Sequence, residues 1–371
     1  MKKKVGFVGI RGMVGSVLLE RMIEENDFSR IDPTFYSSGS KGKSVRHFES
    51  TTVFQDPYDW DLLMSMNVIV TCQGSEYTER VHPELRKRGW QGYWIDAAST
   101  LRMKPDSLIA LDPINLKQIE QGLDEGIKDF VGGNCTVSLL LMALHGLIRE
   151  NLVDWVSSMT YQAASGAGAS AMEELLRQMQ HIGQKSSSLL ENPASSNILS
   201  VDKSINQCIK QSDFPRKAFG RPLACNLLPW IDEEMPSGQS REEWKGQVES
   251  QKILNMENAP LIDGLCVRVG SMRCHAQALT IKLRRDVSLR NVHELLATAN
   301  DWVKFVPNTK DASLEELTPS KVSGSMFVPI GRMRKLAFGP TYLSAFTLGD
   351  QLLWGASEPL RRALKIVLSH L

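Results

Sequence analysis

One cysteine of six sits where its chemistry can be used. Gly132-Gly133-Asn134-Cys135-Thr136-Val137 places it after two glycines and an asparagine, ahead of an apolar run at helical spacing (Val137, Leu140, Leu141, Leu144, Ile148). Asparagine is a good helix cap, so Cys135 is expected in a first turn, where free backbone N–H groups and the helix dipole favour the nucleophilic thiolate. Such a nucleophile needs a proton partner. Of the seven histidines, His275 has the most suggestive setting, in Arg273-Cys274-His275-Ala276-Gln277 just before the alternating stretch Ala278–Leu283. Cys274 and His275 are adjacent and have no second cluster, so they do not read as a metal pair. Arg268 lies upstream in Cys266-Val267-Arg268-Val269-Gly270. Strict strand alternation would put Arg268 and His275 on opposite faces. If both serve one site, the chain must break register near Gly270-Ser271 by a bulge or a turn.

A second constellation opens the chain. Gly9-Ile10-Arg11-Gly12-Met13-Val14-Gly15 follows an apolar stretch, Lys4–Gly9, and precedes a helix with apolar Val14, Val17, Leu18 and Met22. The G-x-x-G-x-x-G spacing is one residue off the usual dinucleotide fingerprint, but the physics is shared: glycines allow a tight turn and bring N–H groups to a pyrophosphate at a helix N-terminus. NAD binders usually carry an acid about 20 residues beyond the loop for the ribose hydroxyls. Here Phe35-Tyr36-Ser37-Ser38-Gly39-Ser40-Lys41-Gly42-Lys43 has none. Hydroxyls and lysines, with Arg11 in the loop, suit the additional phosphate of NADP.

Two charged stretches are less telling. Asp96-Ala97-Ala98-Ser99-Thr100-Leu101-Arg102 follows a strand, and Glu242-Glu243-Trp244-Lys245-Gly246 puts Glu242 and Lys245 on one face if helical. Charge alone reads both as solvated faces.

The elements that must position these residues fit an α/β chain. Thr34–Tyr36, Val68–Thr71 and Tyr93–Ile95 are further short strands alternating with helices, which argues for a parallel sheet covered on both faces. Around Gly132 the texture changes. Met172, Leu175, Leu176 and Met179 mark an amphipathic helix, while Gln184 to Pro222 and Val303–Thr318 read as long polar connections; Glu358–Leu371 reads as a closing helix with Pro359 in its first turn. The chain has 371 residues, 42% hydrophobic and 23% charged, enough for two or three domains with buried cores. Its formal net charge of +1 gives no overall field for nucleic acid or an anionic membrane, so affinity for an anion must come from a few placed cations. No apolar run reaches the ~18–20 residues that span a bilayer. The sparse cysteines suggest free thiols in a reducing cytoplasm.

Taken together, these stretches resemble the aspartate-β-semialdehyde dehydrogenase family of the Gram-negative bacterial type, over nearly the whole chain. The resemblance rests on Gly9–Gly15, Val131–Ser138, Tyr161-Gln162-Ala163-Ala164-Ser165-Gly166-Ala167-Gly168, Glu242–Gly246, Asp263–Arg268, Arg273-Cys274-His275 and Gly349-Asp350-Gln351-Leu352-Leu353-Trp354-Gly355-Ala356. It implies a Rossmann-like NADP-binding domain (1–133 plus 356–371) and an α+β catalytic and dimerisation domain (134–355), of the semialdehyde dehydrogenase/glyceraldehyde-3-phosphate dehydrogenase kind. It also implies a homodimer, and reversible NADP-dependent reductive dephosphorylation of L-aspartyl-4-phosphate to L-aspartate 4-semialdehyde, toward lysine, threonine, methionine and isoleucine.

By the same resemblance Cys135 attacks the acyl phosphate, His275 manages protons, Gln162 orients the intermediate and Asn134 flanks the nucleophile. Arg268 takes the α-carboxylate, Glu242 the α-ammonium, and Arg102 and Lys245 the phosphate. Cofactor contacts map onto Gly9, Arg11, Gly12, Met13, Val14, Ser38, Gly39, Gln73, Ser165, Gly166 and Gln351. Ile10 stands where the family usually has an aromatic, and Ser38-Gly39 where Thr-Ser is common. Other acyl-phosphate reductases, such as N-acetyl-glutamyl-phosphate reductase, share the Cys/His core but not the need for an anion opposite a free ammonium; a silent nucleotide or redox sensor would have no use for the substrate cations.

Overall fold

Parallel strands are buried on both faces, and the four-residue strands of the first sheet are buried along their whole length. The computed structural model describes residues 2–39, 41–47, 50–191 and 197–371. The first third runs β1 (Lys3–Val8), α1 (Met13–Glu24), β2 (Ile31–Tyr36), a hairpin of β3 (Ser44–His47) and β4 (Ser50–Val53), α2 (Trp60–Met64), β5 (Val68–Thr71) and α3 (Ser75–Lys87). It continues with β6 (Tyr93–Asp96), β7 (Ser107–Ala110), α4 (Asp112–Asp124) and β8 (Asp129–Gly132). Six of these strands form a parallel sheet in the order β2-β1-β5-β6-β8-β7. Strand order reverses at β1, and the crevice beyond its carboxyl end is where such sheets bind ligands. Gly9 makes that end possible. Its φ is +78°, and an added Cβ would lie 2.7 Å from backbone atoms of Cys72 and Gln73.

The second part begins with α5 (Cys135–Arg149) and β9 (Val153–Gln162), followed by α6 (Ala169–Glu191), α7 (Ile198–Cys208), β10 (Leu227–Leu228) and α8 (Arg241–Leu254). Next come β11 (Leu261–Val269), β12 (Cys274–Leu283), α9 (Leu289–Ala297), β13 (Val303–Phe305), α10 (Lys310–Glu316), α11 (Pro319–Val322), β14 (Val328–Leu336), β15 (Gly339–Asp350) and finally α12 (Glu358–His370). The seven-stranded mixed sheet is ordered β10-β11-β9-β12-β15-β14-β13. Helix α5 is buried except at Cys135, His145 and Arg149, as a helix apolar nearly all round must be. It joins this sheet, α8 and α9 in the largest apolar core. The outer face of β9 and β11 leaves Met159, Tyr161, Leu261 and Leu265 exposed.

Two stretches expected to be connections contain helices. α6 extends to Glu191, and Ser186 and Ser187 are accommodated within it by turning their hydroxyls onto Ile182 O and Gln184 O. Residues 192–196 lie outside the described residues, as does Ser40. Within 303–318, Thr309 caps α10 by accepting from Ala312 N, and β13 adds parallel to β14. The closing helix α12 is as expected and packs back onto the first sheet and α1.

That return is fixed by a buried ion-pair network. Arg361 donates from Nε and Nη2 to Glu358 and from Nη1 to Asp27 at 2.8 Å, while Arg21 Nε reaches Glu358 at 3.2 Å. Arg361→Ala leaves the buried Glu358 carboxylate with Arg21 alone. The expected loss is about 3 kcal/mol of unfolding free energy in urea titrations, the scale for breaking a buried pair. A loss below about 1 kcal/mol, the scale of surface pairs, would contradict it.

Candidate active site

Helix α5 starts at Cys135 because Asn134 caps it: Oδ1 accepts from Thr136 N (3.0 Å), Val137 N (3.2 Å) and Thr136 Oγ1 (2.7 Å). Cys135 lies on the floor of a cavity of about 410 Å3 between the two sheets. Val14, Arg102, Asn134, Gln162, Gly166, Glu242, Lys245, Arg268 and Gln351 line it, along with Ala97, Ser99, Asp232, Gly355 and other residues. The first turn of α5 is tied to the sheet through Gln277, which donates to Thr136 O (2.9 Å) and accepts from Ser158 Oγ (2.8 Å).

The parity problem between Arg268 and His275 has a topological answer. β11 and β12 are not neighbours; β9 runs between them, parallel to β11 and antiparallel to β12. Arg268 pairs with Gln162, and one step on from the Ala276–Tyr161 pair His275 comes opposite the same Gln162. Residues directly paired across strands share a face. Arg268, Gln162 and His275 therefore form one row across three strands. Residues 270–273 cross the end of β9, where Ser271 O and Met272 O accept from Ala164 N and Ser165 N. The break expected near Gly270-Ser271 is there, as a chain reversal that crosses a strand rather than as a bulge within one.

Gly166 fronts this row. An added Cβ there would lie 2.7 Å from Arg268 Nη1 and 3.0 Å from His275 Nε2 and Cε1. Arg268 Nη1 donates to Ala163 O at 2.8 Å, and Ala163 N donates to His275 Nδ1 at 3.0 Å. With Nδ1 accepting, the neutral ring carries its hydrogen on Nε2, which has no hydrogen-bond partner among the described residues. Burial, then the Arg268 charge, pushes His275 down to about 3.

The stretches read from charge as solvated faces are buried or half-buried throughout. Asp96 accepts from Thr78 Oγ1, Trp94 Nε1 and Ala98 N, anchoring the loop that carries Arg102. Glu242 and Lys245 do lie on one helix, α8, which a Ser240–Glu243 capping box starts. Glu242 Oε1 accepts from Asn134 Nδ2 (2.9 Å) and Gln162 Nε2 (3.3 Å), and Oε2 from Lys245 Nζ (3.0 Å). Burial opposes its charge, but Lys245 and the Asn134 bond hold Glu242 below the usual carboxylate range. Asp232 also holds Lys245, at 2.7 Å.

Cys135 departs from the thiolate expectation. Burial first, then Glu242, pushes its thiol up to about 12, against the pull of Arg268, Arg102 and Lys245.

At the nucleotide loop, Gly12 caps α1 and Met13 and Val14 begin it. Gln73 abuts Gly9; Ser38 and Gly39 follow β2, and an added Cβ at Gly39 would lie 4.0 Å from Arg11 Nη1. Ser165 Oγ donates to Arg273 O, and Gln351 Oε1 is buried with no partner among the described residues. Of the expected contacts only Val14, Gly166 and Gln351 line the cavity. Sequence reasoning missed Asp232, Gly355 and Glu249. Glu249 could have been found at i+7 from Glu242.

Residues 4–122 match the family described as "Semialdehyde dehydrogenase, NAD binding domain", and 144–354 match "Semialdehyde dehydrogenase, dimerisation domain". The aspartate semialdehyde dehydrogenase of Francisella tularensis is 47% identical over 99% of this chain and 100% of its own, with a TM-score of 0.94. The chain belongs to the aspartate-semialdehyde dehydrogenase family. Its reaction is reductive dephosphorylation of an acyl phosphate to the semialdehyde. Aspartate semialdehyde dehydrogenase II of Vibrio cholerae, solved in complex with ASA, shares the fold at 22% identity (TM-score 0.80; 100% of this chain, 99% of that one). The Candida albicans enzyme, solved with NADP, shares it at 15% (TM-score 0.65; 100% and 99%).

The electrostatics give a signed test. Glu242→Gln removes the anion that raises the Cys135 thiol, so the apparent pKa for its alkylation, followed by mass spectrometry against pH, is expected to fall. Arg268→Gln removes a cation and is expected to raise it. A rise in Glu242→Gln would contradict this balance.

Proposed function

We propose that Cys135 is the nucleophile of this family reaction, with aspartyl phosphate as substrate and NADP as cofactor. The observation that carries the reading is the cavity itself: one thiol among its lining, with Arg102, Lys245 and Arg268 against the buried Glu242 and the exposed Asp232 at its rim. A phosphorylated amino acid brings two anionic ends and one ammonium. Arg268 suits the α-carboxylate, Arg102 and Lys245 the phosphate, and Glu242 the ammonium.

In the reductive direction Cys135 Sγ bonds to the acyl carbon and phosphate leaves toward Arg102 and Lys245. The resulting thioester accepts hydride far more readily than a carboxylate would, so one difficult step becomes two. Bound NADPH would supply that hydride to the acyl carbon, and cleavage of the C–S bond then releases the semialdehyde and frees Cys135 Sγ. Gln162 orients the acyl group. His275 Nε2–H donates to the carbonyl oxygen as charge builds there. The ring cannot hold a second proton while Ala163 N–H occupies Nδ1, so the thiol proton reaches it only with that bond broken.

The nucleotide fits this chain's own features: glycines that let β1, β5 and α1 close together, an α1 N-terminus whose Gly12 cap offers no side-chain hydrogen bond, and Gln351 Oε1, buried with no partner among the described residues. Gly9, Gly12, Met13 and Val14 would hold the pyrophosphate, with Gln73 beside them; Ser165, Gly166 and Gln351 would border the nicotinamide. Hydroxyl-bearing Ser38 with Gly39 beside Arg11, and no acid in 37–39, favour NADP over NAD. The division into 1–133 plus 356–371 and 134–355 is the working arrangement. Pairing into a homodimer is supported by the dimerisation-domain match and the apolar outer face of β9 and β11. The setting is cytoplasmic amino-acid biosynthesis, toward lysine, threonine, methionine and isoleucine.

Purified protein given semialdehyde, phosphate and NADP is expected to generate NADPH absorbance, with a much weaker signal from NAD. Cys135→Ser is expected to lower turnover by about 10³-fold or more, with NADP affinity nearly unchanged. Substantial surviving activity would refute covalent catalysis, and equal rates with NAD would refute the cofactor preference.

A further inference from the structure

Glu249 lies on α8 at i+4 from Lys245 and i+7 from Glu242, hence on the same helix face. It is only 2% exposed. One oxygen, Oε2, accepts from Asn134 N at 2.6 Å; the other, Oε1, accepts from Arg102 Nη1 at 3.1 Å. Arg102 also donates from Nε to Gly132 O (2.7 Å) and from Nη2 to Ala97 O (3.3 Å). A guanidinium has five N–H donors. These three bonds leave one on each terminal nitrogen, and Arg102 lines the cavity. The two N–H groups that remain, one on each terminal nitrogen, are enough for a fork that binds a phosphate through two oxygens.

We propose that Glu249 is a positioning residue for the phosphate subsite: one carboxylate fixes the Arg102 fork and ties it to the backbone of the residue that caps the Cys135 helix. The phosphate clamp and the nucleophile are thereby held in one frame, as expulsion of phosphate from the carbon that Cys135 attacks requires. This rests on the reading of Arg102 as a phosphate-binding cation. Only a carboxylate of this length serves. Glutamine would offer one acceptor and one donor, setting N–H against N–H at either Arg102 or Asn134. Aspartate, one methylene shorter, cannot reach both.

The alternative is that Glu249 merely neutralises Arg102, in which case its removal would free positive charge and tighten phosphate binding. The two readings differ in sign. In the phosphate-consuming assay with semialdehyde and NADP, Glu249→Gln is expected to raise the phosphate KM by about tenfold, the scale of one charge-assisted hydrogen bond, with the semialdehyde KM within about twofold. Glu249→Asp is expected to show the same split at about threefold or more, and carries the test if the glutamine variant does not fold. Arg102→Gln, run alongside, should raise the phosphate KM at least as far. A phosphate KM unchanged or lowered in both Glu249 variants, with Arg102→Gln raising it, overturns the positioning role and leaves the Arg102 reading standing. Equal rises in both KM values, or a fall in kcat alone, also overturn the positioning role. An unchanged phosphate KM in Arg102→Gln overturns both.

Discussion

Asn134 is gripped through both of its nitrogens by buried carboxylates of a single helix: Nδ2 by Glu242 and the backbone N by Glu249. Its remaining polar side-chain atom, Oδ1, caps α5. The start of the nucleophile's helix is thus fixed to α8 by hydrogen bonds to charged acceptors, stronger than neutral ones and shielded from water. The same two carboxylates hold Lys245 and Arg102. Every cation assigned to phosphate is therefore anchored to the residue beside Cys135. Were this junction loosened, thiol and cations would lose their common frame.

The junction has an electrostatic cost. Glu242 raises the Cys135 thiol, and the substrate cations are partly occupied by the protein's own acids before any ligand arrives. A chain of net charge +1 reaches an anionic substrate by confining a few cations where water is scarce, not through a long-range field. Asp232, in the left-handed region at φ +74°, shares Lys245 with Glu242 and stands at the cavity wall.

Much of this was legible in the residues. The Gly9–Gly15 loop between β1 and α1, the Asn134 cap and the first turn at Cys135 all followed from local rules, because a cap and a tight turn are decided within a few residues. Strands β7 and β8 were not, since each holds only two large apolar residues where β5 and β6 hold three. The row of Arg268, Gln162 and His275 was hidden because it depends on β9 entering between β11 and β12, a long-range pairing that alternation along one segment cannot express. Asp96 and Glu242 read as parts of solvated faces, and Glu249 escapes notice, since burial of a charge is set by partners that come from elsewhere in the chain: Thr78, Asn134 and Gln162, Arg102. The Cys135 thiol illustrates the same limit. Its helix position was read correctly, but its proton affinity is governed by burial and by Glu242, more than a hundred residues away.

The central claim is a covalent bond between Cys135 and the aspartyl carbonyl, and it can be isolated by withholding the second nucleophile. Enzyme mixed with semialdehyde and NADP in the absence of phosphate should release a burst of NADPH no larger than the number of active sites. Acid quenching and peptide mass spectrometry should then place an aspartyl adduct on the peptide containing Cys135. No burst and no adduct, in enzyme that turns over once phosphate is added, would contradict the account, as would an adduct on any other residue.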